Sequence, residues 1–346
     1  MKRTGVLLIN LGTPDDPSPE AVGRFLREFL MDGFVLDIPA PFRWPLVNVA
    51  IVPRRRKHSA QLYQKIHSDD GPALLFHTRR LASEVSAQLA ATDDQYLVRF
   101  GMRYGNPSLA SALAELCAED VTQIFVLPLY PQYAESSFET AVVETRKQAY
   151  ELGCANKLSF LPPFYAHPNF IDACAQRVSD HLNGHSPDHV VFSFHSVPVR
   201  HIKRLDQSHS HCAIKRDCCA EIGSVNQNCY RAQCIFTAHA IMHQLGLREN
   251  SCTTSFQSRF GRTEWIGPAT DEVLRNLASR GVRKVAVFCP SFVADCLETL
   301  EEIAIRGRET FLAAGGEELR LIPSLNTHPV WVATVTNWII EATSRA

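Results

Sequence analysis

Short β-rich runs alternate with amphipathic stretches along this chain. The runs 6–11, 96–100, 124–129, 189–194, 253–257 and 285–289 are five or six residues long and rich in Val, Ile, Leu, Phe and Thr. Most lack the in–out alternation of a half-exposed sheet, which predicts strands covered on both faces. Between them, 81–90, 271–280 and 298–314 carry apolar positions at helical spacing. The alternation predicts an α/β fold of βαβ units with parallel sheets.

The halves resemble each other. Residues 6–14 align without gaps onto 190–198, which sets Leu11 opposite His195. Arg103-Tyr104-Gly105 follows one strand as Arg259-Phe260-Gly261 follows another, and Leu127-Pro128 ends a strand as Cys289-Pro290 does. Three matches in one order predict two similar flavodoxin- or Rossmann-like domains. In such folds ligands bind beyond the carboxyl ends of the strands. His195 stands at one such end, and 295–302 follow another.

Segment 36–53 breaks the pattern. Prolines at 39, 41, 45 and 53 argue against a regular helix through its first half. It also carries Phe42, Trp44, Leu46, Val47, Val49 and Ile51, with Arg54-Arg55-Arg56-Lys57 directly after. An apolar loop beside a cationic run suits a flat apolar ligand with acidic edges, or an anionic membrane surface and hence peripheral membrane contact. A packed excursion followed by a solvated charge run fits the composition equally well.

Composition narrows the function classes. The 346 residues carry a formal net charge of −1, unlike the strongly basic domains that bind nucleic acid. No apolar run approaches the roughly 18 residues of a spanning helix. The opening apolar stretch is broken by Asn10 and Gly12 and runs into Pro14-Asp15-Asp16, so it reads as a buried strand rather than a signal peptide. A cytoplasmic protein is expected, and with it reduced thiols. Six of the 11 cysteines are scattered (Cys117, Cys154, Cys174, Cys252, Cys289, Cys296), and most are expected to be small buried hydrophobes. The other five are not scattered.

Three groups could carry chemistry. A lone strand histidine such as His195 is more often a satisfied core residue; its place at a strand end is what argues for proton transfer or metal handling. Asp295, Glu298 and Glu302, spaced three and four apart, would project from one face of a helix. A solvated surface, or an Asp295 cap with Glu298 completing a capping box, explains them as well. Cys212, Cys218, Cys219, Cys229 and Cys234 lie within 23 residues. Clustered thiolates select zinc, copper(I) or iron–sulfur centres, and without Cys-x-x-Cys knuckles an iron–sulfur cluster is preferred to structural zinc. One of Cys218 and Cys219 should then be spare.

These residues resemble a known family. Phe192-Ser193-Phe194-His195-Ser196-Val197-Pro198 and Asp295-Cys296-Leu297-Glu298-Thr299-Leu300 are similar to two signatures of the ferrochelatases. Further matches are Leu8-Ile9-Asn10-Leu11-Gly12-Thr13-Pro14, Met102-Arg103-Tyr104-Gly105-Asn106-Pro107 and Leu127-Pro128-Leu129-Tyr130-Pro131-Gln132-Tyr133. Phe256-Gln257-Ser258-Arg259 and Trp265-Ile266-Gly267-Pro268 complete the set, which spans nearly the whole chain. The resemblance implies the chelatase fold, with domains 1–165 and 166–326 around a porphyrin cleft and a C-terminal helix, 327–346, packing back on the first domain. It implies a haem-biosynthetic lyase that inserts Fe²⁺ into protoporphyrin IX, with His195 and Glu298 at the metal and Asp295 and Glu302 as an acidic relay. Porphyrin contacts would fall to Tyr63, Arg103, Tyr104, Tyr130 and Trp265. Some relatives carry a [2Fe–2S] cluster on an internal insertion, here 209–236.

The departures are Cys296, where many relatives have His, Asp70-Gly71-Pro72 for Gly-Ser-Pro, Ala134-Glu135-Ser136-Ser137 for a polar tract, and Arg306 within the acidic file. They bear on secondary porphyrin contacts and iron delivery. The alternatives are a chelatase for cobalt or coproporphyrin and a non-catalytic porphyrin- or haem-binding iron–sulfur sensor. A nucleotide-binding enzyme fits poorly, since the chain has no Walker A loop and no G-x-G-x-x-G after the first strand.

Overall fold

The computed structural model describes residues 3–92, 95–213, 217–261 and 263–344. Eight strands occur among them: β1 (Arg3–Thr13), β2 (Gln95–Gly105), β3 (Val121–Pro128), β4 (Leu158–Phe160), β5 (His189–His195), β6 (Cys252–Gln257), β7 (Lys284–Phe288) and β8 (Glu318–Ile322). The six apolar runs all become strands. The two additions are edge strands, β4 only three residues long and β8 interrupted by partly exposed positions, so neither gives an apolar run.

The strands form two parallel sheets, ordered β2-β1-β3-β4 and β6-β5-β7-β8. The chain divides into two compact units: Met1–Tyr130 with Glu135–Pro162 and Pro329–Ala346, and Pro131–Ala134 with Pro163–His328. In the first unit Val6, Leu7, Leu8 and Ile9 of the central strand are fully buried. In the second, Val191, Phe192 and Phe194 are. Helix Pro329–Thr343 packs on helix Ala73–Leu89, and Tyr96 and Thr343 share a hydrogen bond between their hydroxyls at 3.0 Å.

The two sheets repeat one topology, and their registers agree residue by residue. Asn10 pairs with Met102 as Phe194 pairs with Phe256. The amides of Met102 and Phe256 each donate, at 2.8 Å, to the carbonyl of a proline that leads into the next helix, Pro107 or Pro268. The match of 6–14 to 190–198 therefore holds in space. The second sequence match does not: His195 pairs with Gln257, so Gln257, not Arg259, is the counterpart of Arg103. Leu8 pairs with Leu127 as Phe192 pairs with Phe288, which moves the third match by one residue as well.

Segment 36–53 also departs from expectation. Helix Ala40–Pro45, a wide π turn Leu46–Ile51 and helix Val52–Lys65 follow one another without a break. Pro41 and Pro53 sit in first turns, where no amide donor is needed, and the turn before Pro53 uses the longer i→i+5 hydrogen bond, as Val52 N–H to Val47 O shows. Phe42, Trp44 and Val49 are 69%, 58% and 64% exposed. A further correction concerns the scattered cysteines: Cys117 and Cys154 form a disulfide rather than two separate buried thiols. No described helix is long and apolar enough to cross a membrane.

Near the end of β1, Gly12 adopts φ +112°, and a Cβ there would lie 1.7 Å from the Tyr104 carbonyl oxygen. Gly12→Ala is therefore expected to destabilise the protein by roughly 2–4 kcal/mol, combining left-handed strain with backbone displacement. Urea unfolding checks this, and an unchanged midpoint would contradict it.

Candidate active site

His195 is the last residue of β5. Its Nδ1 lies 2.5 Å from the Ser196 carbonyl oxygen. A carbonyl can only accept, so Nδ1 carries a hydrogen, and in the neutral ring the lone pair is on Nε2. That is the tautomer a proton acceptor or metal ligand needs. The backbone around it is fixed from both sides. Ser196 N donates to Gln257 O at 2.8 Å, while His195 N donates to Ser291 Oγ at 3.2 Å. Phe292 packs near the imidazole, with ring centroids 6.3 Å apart.

Glu298 comes from the segment after β7. The helix there spans only Leu297–Leu300; its N-cap is Cys296, and Thr299 completes the capping box. The expectation of an Asp295 cap with Glu298 is thus corrected. So is the picture of three carboxylates on one helical face, because Asp295 precedes the helix. The Asp295 carboxylate is buried and accepts from Thr299 Oγ1 (3.0 Å), Ser324 N (3.2 Å) and Asn326 Nδ2 (2.7 Å). It fastens two loops together.

Glu302 opens a π turn and accepts from Ser258 N at 2.8 Å and Ser258 Oγ at 2.5 Å. Ser258 has φ +68°, and those two bonds hold it in that unfavourable conformation. Neighbouring Glu301 is fully buried against Arg306 Nε at 2.7 Å. Arg306 therefore interrupts the acidic file to neutralise a buried carboxylate. Glu298 is half-buried, one residue into the short helix that Cys296 caps. Burial first, and then the charge of Glu298, push the Cys296 thiol well up, so it stays neutral.

Gln257 joins the two candidate residues, and residue types alone did not single it out. Its backbone pairs with His195 across β5 and β6, and its Nε2 donates to the Glu298 carbonyl oxygen at 2.7 Å. Its Oε1 accepts from Ser193 Oγ at 2.6 Å and from Cys289 Sγ at 3.6 Å. A polar residue ending the strand beside a strand-end histidine was the available signal.

The expected porphyrin contacts fare differently. Tyr104 is 1% exposed and donates to Asp32 Oδ2 at 2.9 Å. Arg103 meets the same oxygen at 2.5 Å, donates to Thr140 Oγ1 at 2.9 Å and stacks over the Tyr104 ring at 4.5 Å. Thr140 Oγ1 in turn donates to Asp32 at 2.6 Å. This network holds Arg103 and Tyr104 in the first unit's interior, which corrects the expectation of ring contact by Tyr104. Tyr130 is buried, and its hydroxyl has no hydrogen-bond partner among the described residues. Tyr63 is half-buried on helix Val52–Lys65. Trp265 bridges to Pro198, three residues beyond His195, and its Nε1 donates to Phe260 O at 2.7 Å.

The five clustered cysteines are all buried. Asp206 shapes the entry to the segment, accepting from Ser208 Oγ and from the amides of Ser208, His211 and Cys212. These bonds, that from the Ser208 hydroxyl foremost, hold its carboxyl well below the usual range. Cys218 and Cys219 have sulfurs 3.7 Å apart, and Cys229 is an electrostatic neighbour of both Cys212 and Cys219. Arg231 Nη1 lies 3.1 Å from Cys219 Sγ. Burial chiefly raises the thiols of Cys212, Cys218 and Cys234; for Cys219 the neighbouring Cys229 raises it most. Residues 214–216 of this insertion lie outside the described residues. Among the described residues no three His, Cys, Asp or Glu side chains enclose a single-ion site.

Two parallel sheets of one strand order form an α/β fold of the chelatase kind, with His195 ending the central strand of the second sheet and Glu298 in the segment that follows β7. The solved sirohydrochlorin chelatase SirB of Bacillus subtilis subspecies spizizenii, determined with cobalt, has this fold: the TM-score is 0.54 at 12% identity, covering 99% of this chain and 96% of that one. The ferrochelatase family model matches residues 3–343. The ferrochelatase of Coxiella burnetii (strain Dugway 5J108-111) is 43% identical over 333 residues, 96% of this chain and 92% of that protein. The ferrochelatase of Azotobacter vinelandii is 45% identical over 331 residues, 95% and 96% of the two chains. The chain belongs to the ferrochelatase family.

Asp295→Ala would leave three donors facing a void. Unfolding in urea should register a loss of roughly 3–5 kcal/mol, since each buried unpaired group costs about 1–3 kcal/mol. A loss below about 1 kcal/mol would show that Asp295 does not fasten the loops.

Proposed function

We propose that this protein inserts Fe²⁺ into protoporphyrin IX to give protohaem, a lyase reaction that releases two pyrrole protons. The observation that carries the reading is the shared mounting of His195 and Glu298: Gln257 pairs with one by backbone and holds the other by its amide, and Nε2 of His195 keeps its lone pair. Ring bending exposes the pyrrole lone pairs, at a cost of a few kcal/mol drawn from binding energy elsewhere on the ring. His195 then accepts a pyrrole proton, and Glu298 takes water from the iron or receives the second proton. Glu302, held by Ser258, continues an acidic path. The exposed side chains of Phe42, Trp44 and Val49, with the cations of 54–57, suit either the porphyrin's apolar face and propionates or a peripheral contact with an anionic membrane from the cytoplasmic side.

The cysteine segment suits a resident [2Fe–2S] cluster. Its donors are soft and buried, and Arg231 stands ready to balance anionic sulfur. Four of Cys212, Cys218, Cys219, Cys229 and Cys234 would hold it. Such a cluster supplies a redox-sensitive cross-link, and metallation itself transfers no electron.

Anaerobic turnover with Fe²⁺ and protoporphyrin IX tests the enzyme. His195→Ala and Glu298→Gln are each expected to lower kcat by at least about a hundredfold, the scale of a lost acid–base group, with porphyrin binding retained. Wild-type protein that binds porphyrin without metallating it would sink the reading. The purified protein should show sulfur-to-iron visible absorbance and equal iron and acid-labile sulfide; stoichiometric zinc instead would rule the cluster out.

A further inference from the structure

Two residues before His195 on β5, and two before Gln257 on β6, stand Ser193 and Ser255, which pair in register. Side chains two apart on a strand share a face, so these four residues lie on one side of the sheet. Thr270, the first residue of helix Thr270–Ser279, closes over the two serines. Its Oγ1 lies 2.8 Å from Ser193 Oγ and 2.9 Å from Ser255 Oγ. All three hydroxyl residues are buried, as is Gln257.

The first unit shows that the fold itself needs no hydroxyl here. By register, the counterparts of Ser193 and Ser255 are Ile9 and Gly101. Met102 bridges to Ser108 as Phe256 bridges to Ala269, so Leu109 is the counterpart of Thr270. Ile9 and Leu109 are buried, and a Cβ on Gly101 would lie 2.8 Å from Leu109 Cα. The first unit thus closes this corner by apolar packing and close backbone approach. Three buried hydroxyls in the same place cost stability unless each is hydrogen-bonded. They belong to the unit that carries His195 and Glu298.

The direction of their bonds is fixed from the far end. The Glu298 carbonyl can only accept, so the nitrogen of Gln257 faces it and the oxygen faces Ser193. An amide oxygen also can only accept, so Ser193 gives its hydrogen to Gln257 and accepts from Thr270. Thr270 in turn accepts from Ser255. Four hydrogen bonds run one way, from Ser255 to the backbone of Glu298, and such chains strengthen one another in a dry interior. The amide oxygen's other donor, the Cys289 thiol at 3.6 Å, is a weak one.

We propose that Ser193 and Thr270 are positioning residues for metal insertion, orienting the Gln257 amide so that its nitrogen holds the segment bearing Glu298. The proposal rests on the reading of His195 and Glu298 as the metal-insertion pair. Neither Ser193 nor Thr270 acts on iron or porphyrin; both act through Gln257. The hydroxyl of Thr270 is what matters, since a valine fills nearly the same space.

The test compares full-length wild type with Thr270→Val, Thr270→Ser, Ser193→Ala and the double variant Thr270→Val/Ser193→Ala. Amide hydrogen exchange at Leu300 and Glu301, which bond back to Cys296 and Leu297, reports the helix that carries Glu298. Anaerobic kinetics report catalysis. Thr270→Val and Ser193→Ala should each speed that exchange and lower kcat by about tenfold, the effect of a slightly misplaced reacting group, with KM for porphyrin within about twofold. Thr270→Ser, which keeps the hydroxyl, should restore both values. The double variant should be no worse than the poorer single one, because both cut one chain. Wild-type exchange and kcat in Thr270→Val would overturn the proposal, whatever its unfolding midpoint. Multiplicative losses in the double variant, or a Thr270→Ser as slow as Thr270→Val, would also overturn it. Should Thr270→Val fail to fold, Ser193→Ala decides by the same exchange and kcat. Should wild type fail to metallate porphyrin at all, the functional reading falls while the exchange data still decide whether the chain holds the Glu298 helix.

Discussion

The site depends on the overhang of β5 beyond β7. A parallel strand that outruns its neighbour leaves backbone donors and acceptors without partners, and in a half-buried position each is expensive to leave unmet. Here the chain leaving β7 folds back across the gap and brings Ser291 to the His195 amide. The same loop runs on to Glu298, whose carbonyl is taken by Gln257. Completing the sheet edge and assembling a histidine–glutamate site are one structural act. A histidine mounted this way has little freedom in backbone or ring, since Nδ1 is committed to the Ser196 carbonyl. Preorganisation of this kind matters most for a reaction whose partners, a flat ring and a hydrated ion, bring few handles of their own.

The internal repeat shows how much of this is scaffold. Both sheets share strand order, register and the proline-led return to the strand before the next helix. At the position of His195 the first unit has Leu11, and at that of Gln257 it has Arg103. Arg103 is consumed by Asp32, Thr140 and the face of Tyr104, an arrangement that fastens the interior of the first unit. Equivalent places thus hold a structural ion pair in one unit and a display of chemistry in the other. Gln257 can serve as it does because an amide both donates and accepts: it answers Ser193 with its oxygen and Glu298 with its nitrogen.

What the sequence made legible was periodic or local. Runs such as 6–11 and 285–289 became central strands because covering both faces demands unbroken apolar character, and His195 and Glu298 stood in short motifs at strand and helix ends. Legibility failed where a non-local partner decided the outcome. Asp295 and Glu298 have the spacing of a capping box, yet the cap is Cys296 because Asn326 and the Ser324 amide, some thirty residues on, claim the Asp295 carboxylate. Four prolines signalled a broken segment, yet a single π turn absorbs the one at 53. Cys117 and Cys154 are 37 residues apart, with no local signal to join them.

The cysteine segment is woven into the second unit rather than appended to it. Asp206 organises its entry with four hydrogen bonds, and its exit is helix Tyr230–Gln244. That helix is tied to the rest of the unit on another side too: Gln233 Oε1 accepts from Tyr133 N at 2.6 Å, and Thr237 Oγ1 accepts from Gln132 Nε2 at 3.1 Å. A helix so constrained cannot follow changes among the thiols at its first turn without straining bonds elsewhere.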